Sequence, residues 1–323
     1  MRTSTETFLG RLKISVKTHA IPFIVLFILI VLASFLSPVF LSGENISNIL
    51  LQVAVSMIVC MGMMFVIISG GIDLSVGSQV AVTSVFVAGL MRTFPLPVAI
   101  FMAVMIGGAL GLTNGLIIAR LKIAPFIATL GMMSFARGIA FWYTGAVPII
   151  WSSFENVEWF FQLGGGRVLG MVPIPFILWF IIVVITSILM KYTSVGRATY
   201  AIGGNEEAVR LSGLNIANYK LFPYVYTGIL CGVAGVMLTS RIGVGSPASG
   251  TGLELDAIAA TVIGGTSLRG GEGTVIGVVI GVFILGIINN ILNLMNVPSY
   301  PQQMLKGVII VLAVVMSSRK SRK

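Results

Sequence analysis

Groups that could do acid–base, thiol or metal chemistry are scarce in this chain: ten carboxylates, one histidine and two cysteines in 323 residues. The carboxylates are Glu6, Glu44, Asp73, Glu155, Glu158, Glu206, Glu207, Glu254, Asp256 and Glu272, and each falls at the end of an apolar run or in a connection between runs. Ion-driven carriers usually need an ionisable group or an unwound ion site at membrane depth, so this distribution argues against proton coupling. His19 stands alone near an apolar edge, which leaves no Ser/His/Asp arrangement to build. Cys60 and Cys231 lie inside apolar runs at no metal-ligand or redox spacing and read as small buried residues. No Gly-x-x-x-x-Gly-Lys-Ser/Thr loop is present, so the chain is no ATPase by that route. The expectation is a protein that is not an enzyme and uses neither cofactor nor metal.

Neutral hydrogen-bonding groups are more plentiful within the apolar runs. Gln52, Ser56, Ser69, Thr83, Asn114, Thr129, Ser134, Asn289 and Asn290 offer donors and acceptors suited to a hydroxyl-rich neutral solute. Together with the acids at the starts of two runs, they give Ser69, Asp73, Asn114, Glu254, Asp256, Asn289 and Asn290 as the expected substrate pathway. Arg137 is the one basic group within a run, placed to line the route or to pair with a backbone carbonyl.

A different kind of chemistry is written at 203–213. Asn205 is a good N-cap, Glu206 and Glu207 suit the positive end of a helix dipole, Glu206 and Arg210 sit four apart, and Gly213 suits the C-terminal stop. The spacing predicts a polar helix of about two turns, too short to persist alone in water. Either the chain's own framework or a soluble partner must hold it. A partner would make Gly204, Asn205, Glu206, Glu207, Ala208, Arg210 and Gly213 the place where force enters the protein.

The elements around these residues belong to a membrane protein. Apolar residues make up 57% of the chain and charged ones 9%, against about 25% charged in soluble domains. Apolar runs at 21–37, 46–69, 74–91, 97–119, 125–146, 174–190, 221–240, 256–266, 273–292 and 303–317 predict about ten helical crossings, the eighth extended to 253–269 to reach sufficient length. With both termini assigned to the cytoplasm, 15 Lys and Arg fall on that side and 4 on the other, so the net charge of +10 reads as topology and not as nucleic-acid binding. The first run is expected to remain as an anchor, since no Ala-x-Ala site follows it.

Two halves of the chain repeat. Gly71-Ile72-Asp73-Leu74-Ser75 before the third run answers to Gly252-Leu253-Glu254-Leu255-Asp256 before the eighth. Gly111-Leu112-Thr113-Asn114 answers to Gly286-Ile287-Ile288-Asn289, and Pro125 to Pro298 or Pro301. Because the assigned topology places the paired groups on opposite sides, the expected architecture is a single 1–323 membrane domain containing an inverted repeat, with units at about 46–146 and 221–317 and a cytoplasmic loop at about 192–220. The spacings Gly107-x-x-x-Gly111, Gly111-x-x-x-Gly115, Gly228-x-x-x-Gly232 and Gly277-x-x-x-Gly281 predict close helix approach, favoured within the chain over between chains.

The stretches 69–78, 200–208, 252–260 and 263–268, taken in order, resemble the permease subunits of bacterial ABC-type monosaccharide importers, over nearly the whole chain and with ribose-type permeases as the nearest likeness. Asn289-Asn290 and Ser299-Tyr300 extend the match, while Pro301 and the 147–173 loop depart from it. The resemblance implies the type II ABC importer permease fold, all α-helical with about ten crossings. It implies a dimer of permeases in the bacterial inner membrane, a cytoplasmic ATPase and an extracytoplasmic sugar-binding protein. It also makes the loop around Gly204, Asn205, Glu206, Ala208 and Gly213 similar to the family's coupling helix. The function expected is ATP-driven import of a neutral monosaccharide, a ribose-type pentose or related hexose, by alternating access. A stand-alone secondary carrier and a structural or receptor component are the competing readings.

Overall fold

The computed structural model describes residues 21–152, 157–168, 170 and 172–320. The basic N-terminal segment with His19, Glu155 and the final Arg322 and Lys323 lie outside the described residues.

Each of the ten apolar runs contains a helix. These are α1 (Ile21–Leu36), α2 (Gly43–Ile68), α3 (Val76–Leu90), α4 (Leu96–Ala119), α5 (Pro125–Thr144), α7 (Ile174–Tyr192), α10 (Ile216–Ile242), α11 (Leu253–Ile263), α12 (Val275–Leu294) and α13 (Ser299–Lys320). Between them sit α6 (Glu158–Gly165), α8 (Ser194–Gly204) and α9 (Glu206–Leu211). Helix starts follow local chemistry: the Ser42 hydroxyl accepts from the Asn45 N–H at 3.2 Å and the Thr274 hydroxyl from the Gly277 N–H at 3.1 Å, while proline occupies the first turn of α4, α5 and α7. Gly145 and Gly243 end α5 and α10 in the left-handed conformation.

Among the described residues, α2, α4, α7, α10 and α12 are each long and apolar enough to cross a bilayer. At 1.5 Å per residue, α3 with 15 residues reaches about 22 Å and α11 with 11 about 16 Å, both short of a ~30 Å hydrocarbon core. Of the extension of the eighth run to 253–269, the N-terminal part is helical and the C-terminal part is not. The helix stops at Ile263, and positive-φ glycines at Gly265, Gly270 and Gly271 turn the chain into a loop.

The core is built around α2, which is enclosed on nearly all faces by α7, α10, α11 and α12. Helix α10 packs along α4 at unusually close range. An added Cβ at Gly107 would fall 2.5 Å from the Gly228 carbonyl oxygen, and one at Gly111 would overlap the Tyr224 carbonyl. The Gly277/Gly281 edge of α12 lies in the same way on Gly264 and Ala260 at the end of α11. The small-residue spacings therefore join helices of this one chain.

The 147–173 segment is more structured than its sequence suggests. Strand β1 (Ile149–Ile150) pairs antiparallel with β4 (Val244–Gly245), and β2 (Arg167–Val168) with β3 (Val172–Pro173). Trp151 is fully buried and donates from Nε1 to the Thr239 carbonyl at 2.9 Å, and Ser240 donates to the Phe160 carbonyl of α6. These bonds fasten the segment to the end of α10.

Candidate functional site

The predicted polar helix exists as α9, six residues long and so close to the two turns expected, and Asn205 caps it by accepting from the Ala208 N–H at 2.9 Å. Gly213 adopts φ +81 just beyond its end, as a left-handed stop requires. The ion pairs differ from the i,i+4 expectation. Arg210 bonds Glu207 at 2.5 Å, three residues back, and Glu206 bonds Lys220 of α10 at 2.6 Å. Glu206 is drawn to Lys220 because α10 folds back beneath α9, a tertiary contact with no signature in local spacing. Glu207 beside Arg210 holds the guanidinium above its ordinary value.

Helix α8, which precedes α9, lies within the 192–220 stretch that the sequence marks only as a loop. Its residues bury Ala198 and Ile202 against Val209, Ile216 and Tyr219, so α8 and α9 form a hairpin with its own small core. The outer side of α9 is different: Glu206, Glu207 and Arg210 are exposed, and Leu211 is 79% exposed. The chain's own framework holds the inner face of the hairpin and leaves a charged and apolar outer face open.

Two polar clusters occupy the interior. In the first, the backbone between α2 and α3 brings Asp73 into full burial, where its Oδ1 accepts from the Ser75 N–H at 2.8 Å and the Ser75 hydroxyl at 2.5 Å. The Ser75 oxygen in turn accepts from Gln79 Nε2 at 2.7 Å and Asn114 Nδ2 at 2.9 Å, which ties α4 to the start of α3. Asp73 thus serves as an extended N-terminal cap of α3, and Asn114 as a lock on that cap. Ser69 donates within its own turn to Val66 at 2.8 Å.

The second cluster lines a cavity of ≈ 50 Å³ formed by Gln52, Val53 and Ser56 of α2, Asp256 and Ala260 of α11, and Val282, Leu285, Gly286 and Asn289 of α12. Asp256 holds Lys306 of α13 at 2.9 Å from the cavity wall. Of the expected pathway residues, Asp256 and Asn289 meet here, joined by Gln52 and Ser56. Asn290 is not in the lining. It forms a reciprocal amide pair with Asn45, at 3.1 and 2.9 Å, that fastens α12 to α2. Glu254 sits against Gly77 of α3, and Arg137 donates to the Pro247 and Ser249 carbonyls at 2.6 and 2.9 Å, clamping the loop between α10 and α11. Ser134 is exposed, and Thr83 is buried with its hydroxyl bonded to the Cys231 carbonyl at 3.2 Å. Gln79, Ser75 and Lys306 were missed. The first two are indistinguishable by sequence from ordinary helix-packing residues, and Lys306 lies 50 positions from the acid it meets.

Residues 45–314 match the profile of the family described as branched-chain amino acid transport system / permease component. The chain belongs to this permease family. Within it, the chain is 46% identical over 301 residues to the ribose import permease protein of Bacillus subtilis, covering 93% of this chain and 92% of that protein. It is 42% identical over 317 residues to the ribose import permease protein of Haemophilus influenzae, covering 98% and 97%. It is 37% identical over 297 residues to the D-allose transport system permease protein of Escherichia coli, covering 91% and 90%. No solved structure gives a significant match. As a permease component the chain is a transport subunit and not itself an enzyme, and its apolar helices make it a multi-pass protein of the inner membrane.

Proposed function

We propose that this permease is the membrane-spanning subunit of an ATP-driven ABC importer that passes a neutral monosaccharide, a ribose-type pentose or related hexose, into the cytoplasm by alternating access. The observation that carries this reading is the α8–α9 hairpin: anchored on its inner face, open on its outer face, and projecting from a chain with no ATP-binding loop of its own. ATP hydrolysis then belongs to a cytoplasmic partner gripping Gly204, Asn205, Glu206, Glu207, Ala208, Arg210 and Gly213. The sugar arrives from an extracytoplasmic binding protein, and a second permease completes the pore. The names of the relatives, which include ribose, L-arabinose, D-allose and galactose permeases, support a monosaccharide as cargo.

Ten crossings with both termini in the cytoplasm, and an inverted repeat of 46–146 and 221–317 within one 1–323 domain, complete the reading. Helix pairing supports the repeat. Helix α2 packs on α12 and α11 as α10 packs on α4 and α3, and α11 touches α12 and α13 as α3 touches α4 and α5. The equivalent positions carry the two polar clusters, Ser75 beside Asn114 in one unit and Asp256 beside Asn289 in the other. Where Gln79 fills the first, the small Ala260 leaves the second open.

A cavity of ≈ 50 Å³ holds on the order of three waters and no pentose, so a sugar can pass here only if the helices that line it, α2, α11 and α12, move apart. Ser56→Leu fills that space with an apolar side chain. Uptake of radiolabelled ribose by vesicles carrying the whole importer is expected to fall at least tenfold, with unchanged amounts of folded permease. Undiminished uptake of ribose and of every other sugar in a pentose and hexose panel would remove the cavity from the route.

A further inference from the structure

The coupling hairpin does not simply rest on the membrane domain. It meets two other chain segments at one glycine-lined point. An added Cβ at Gly203 would overlap the Ile68 carbonyl at the end of α2 and fall 2.5 Å from the Gly271 nitrogen in the loop between α11 and α12. The same Gly271 nitrogen donates to the Ile68 carbonyl at 2.9 Å. Gly270 is 2.8 Å, measured from its would-be Cβ, from the Gly203 carbonyl oxygen. Gly270 and Gly271, at φ +86 and +74, hold conformations that other residues rarely adopt, so both backbone shape and backbone proximity demand glycine here. Beside this point the Tyr200 hydroxyl of α8 donates to the Gly273 carbonyl at 2.7 Å, across 73 residues of sequence. Burial pushes the Tyr200 hydroxyl up from its usual value, so it stays a donor at any physiological pH.

Both outgoing segments lead to the polar cavity. Helix α2 carries Gln52 and Ser56, and the 264–274 loop ends the two helices that carry Asp256 and Asn289. Gly277 lies directly on the Gly264 carbonyl, so α11 and α12 are packed together where they leave the loop. Interlocked backbones of this kind have no soft side chains to absorb a displacement. A shift of the hairpin must move the loop with it.

We propose that this junction of Gly203, Ile68 and Gly271 transmits movement of the coupling hairpin to the cavity between α2, α11 and α12, with Tyr200 as the positioning residue that tethers α8 to the α11–α12 loop. The proposal rests on the reading that α9 receives force from an ATPase, and adds where that force goes.

The test uses the permease assembled with its ATPase in lipid vesicles, carrying Leu285→Cys in the cavity lining as a reporter. Cys60 and Cys231 are fully buried and give little background. The rate of modification by a small thiol reagent is measured without nucleotide and with ATP plus vanadate. In the otherwise wild-type protein the two rates are expected to differ at least fivefold, in keeping with usual coupling free energies. With Tyr200→Phe, which keeps the ring and removes only the hydroxyl, the two rates are expected to converge to within twofold while ATP is still hydrolysed. A full nucleotide response in Tyr200→Phe, and also in Gly203→Ala, overturns the junction and leaves the ATPase reading intact. If the wild-type background gives no nucleotide response while ATP is being hydrolysed, both fall together.

Discussion

Gly228→Ala is expected to lower the thermal midpoint of the purified permease by more than any single change on the lipid-facing side of the bundle. An added methyl at Gly228 would overlap the Gly107 carbonyl oxygen and come within 2.8 Å of the Gly111 Cα, both backbone atoms of α4 that cannot rotate away. Overpacking of this kind costs about 1–3 kcal/mol where side chains can adjust and more where backbone must separate. The helices must part along the whole seam, since Gly107, Gly111, Gly228 and Gly232 share it. Gly131→Ala and Gly138→Ala are the controls. Both lie in α5 with open space where a Cβ would point, and a helical glycine there is about 1 kcal/mol less favourable than alanine. Fluorescence-detected size-exclusion of heated samples should show Gly228→Ala aggregating well below the wild type and the two controls at or above it. A wild-type midpoint for Gly228→Ala would mean that α4 and α10 are not in backbone contact.

The same seam illustrates what could be read before any coordinates. Small residues four apart announce close approach, because nothing else lets two backbones come so near; the identity of the partner helix is a tertiary fact, and only the structure matches Gly107 and Gly111 to Gly228 and Gly232. The ten apolar runs were legible for a similar reason, since a long stretch without charge has few alternatives. The eighth is overextended at its C-terminal end because a crossing demands length, whereas past Ile263 the chain turns to Gly264-Gly265-Thr266-Ser267 and the positive-φ glycines end the helix. Short elements held from outside were invisible: α8 lacks an apolar run of useful length, and β1 and β4 are two residues each and exist through pairing across about 95 positions. At the candidate site, residue types pointed to Asp256 and Asn289 but equally to Asn290. The difference is a rotation of about 100° around α12, which turns one amide toward the cavity and its neighbour toward Asn45.

Glu206→Leu combined with Arg210→Leu is expected to leave the permease folded and to lower the sugar moved per ATP hydrolysed by an order of magnitude or more. Exposed ion pairs contribute little to stability, so their loss does not unfold α9, whose cap at Asn205 and buried Val209 remain. What the double change removes is two of the three charges on the outer face, together with the exposed ion pairs they make to Lys220 and Glu207. Coupling free energies between sites commonly correspond to factors of 5–150, which sets the scale of the loss. The separating readout is the ratio of uptake to hydrolysis in vesicles, measured beside the thermal midpoint of the variant. A midpoint near wild type with a collapsed ratio supports α9 as the point of grip. A normal ratio would return α9 to the status of a solvated connection.

The most direct test of the whole account is sugar accumulation by sealed vesicles that contain this permease alone, compared with vesicles that contain it together with its ATPase and binding protein. No accumulation against a gradient is expected from the permease alone under any proton or sodium gradient, and accumulation in the full assembly is expected only when ATP is supplied on the cytoplasmic face. Concentration of a sugar by the lone permease at the expense of an ion gradient would contradict it.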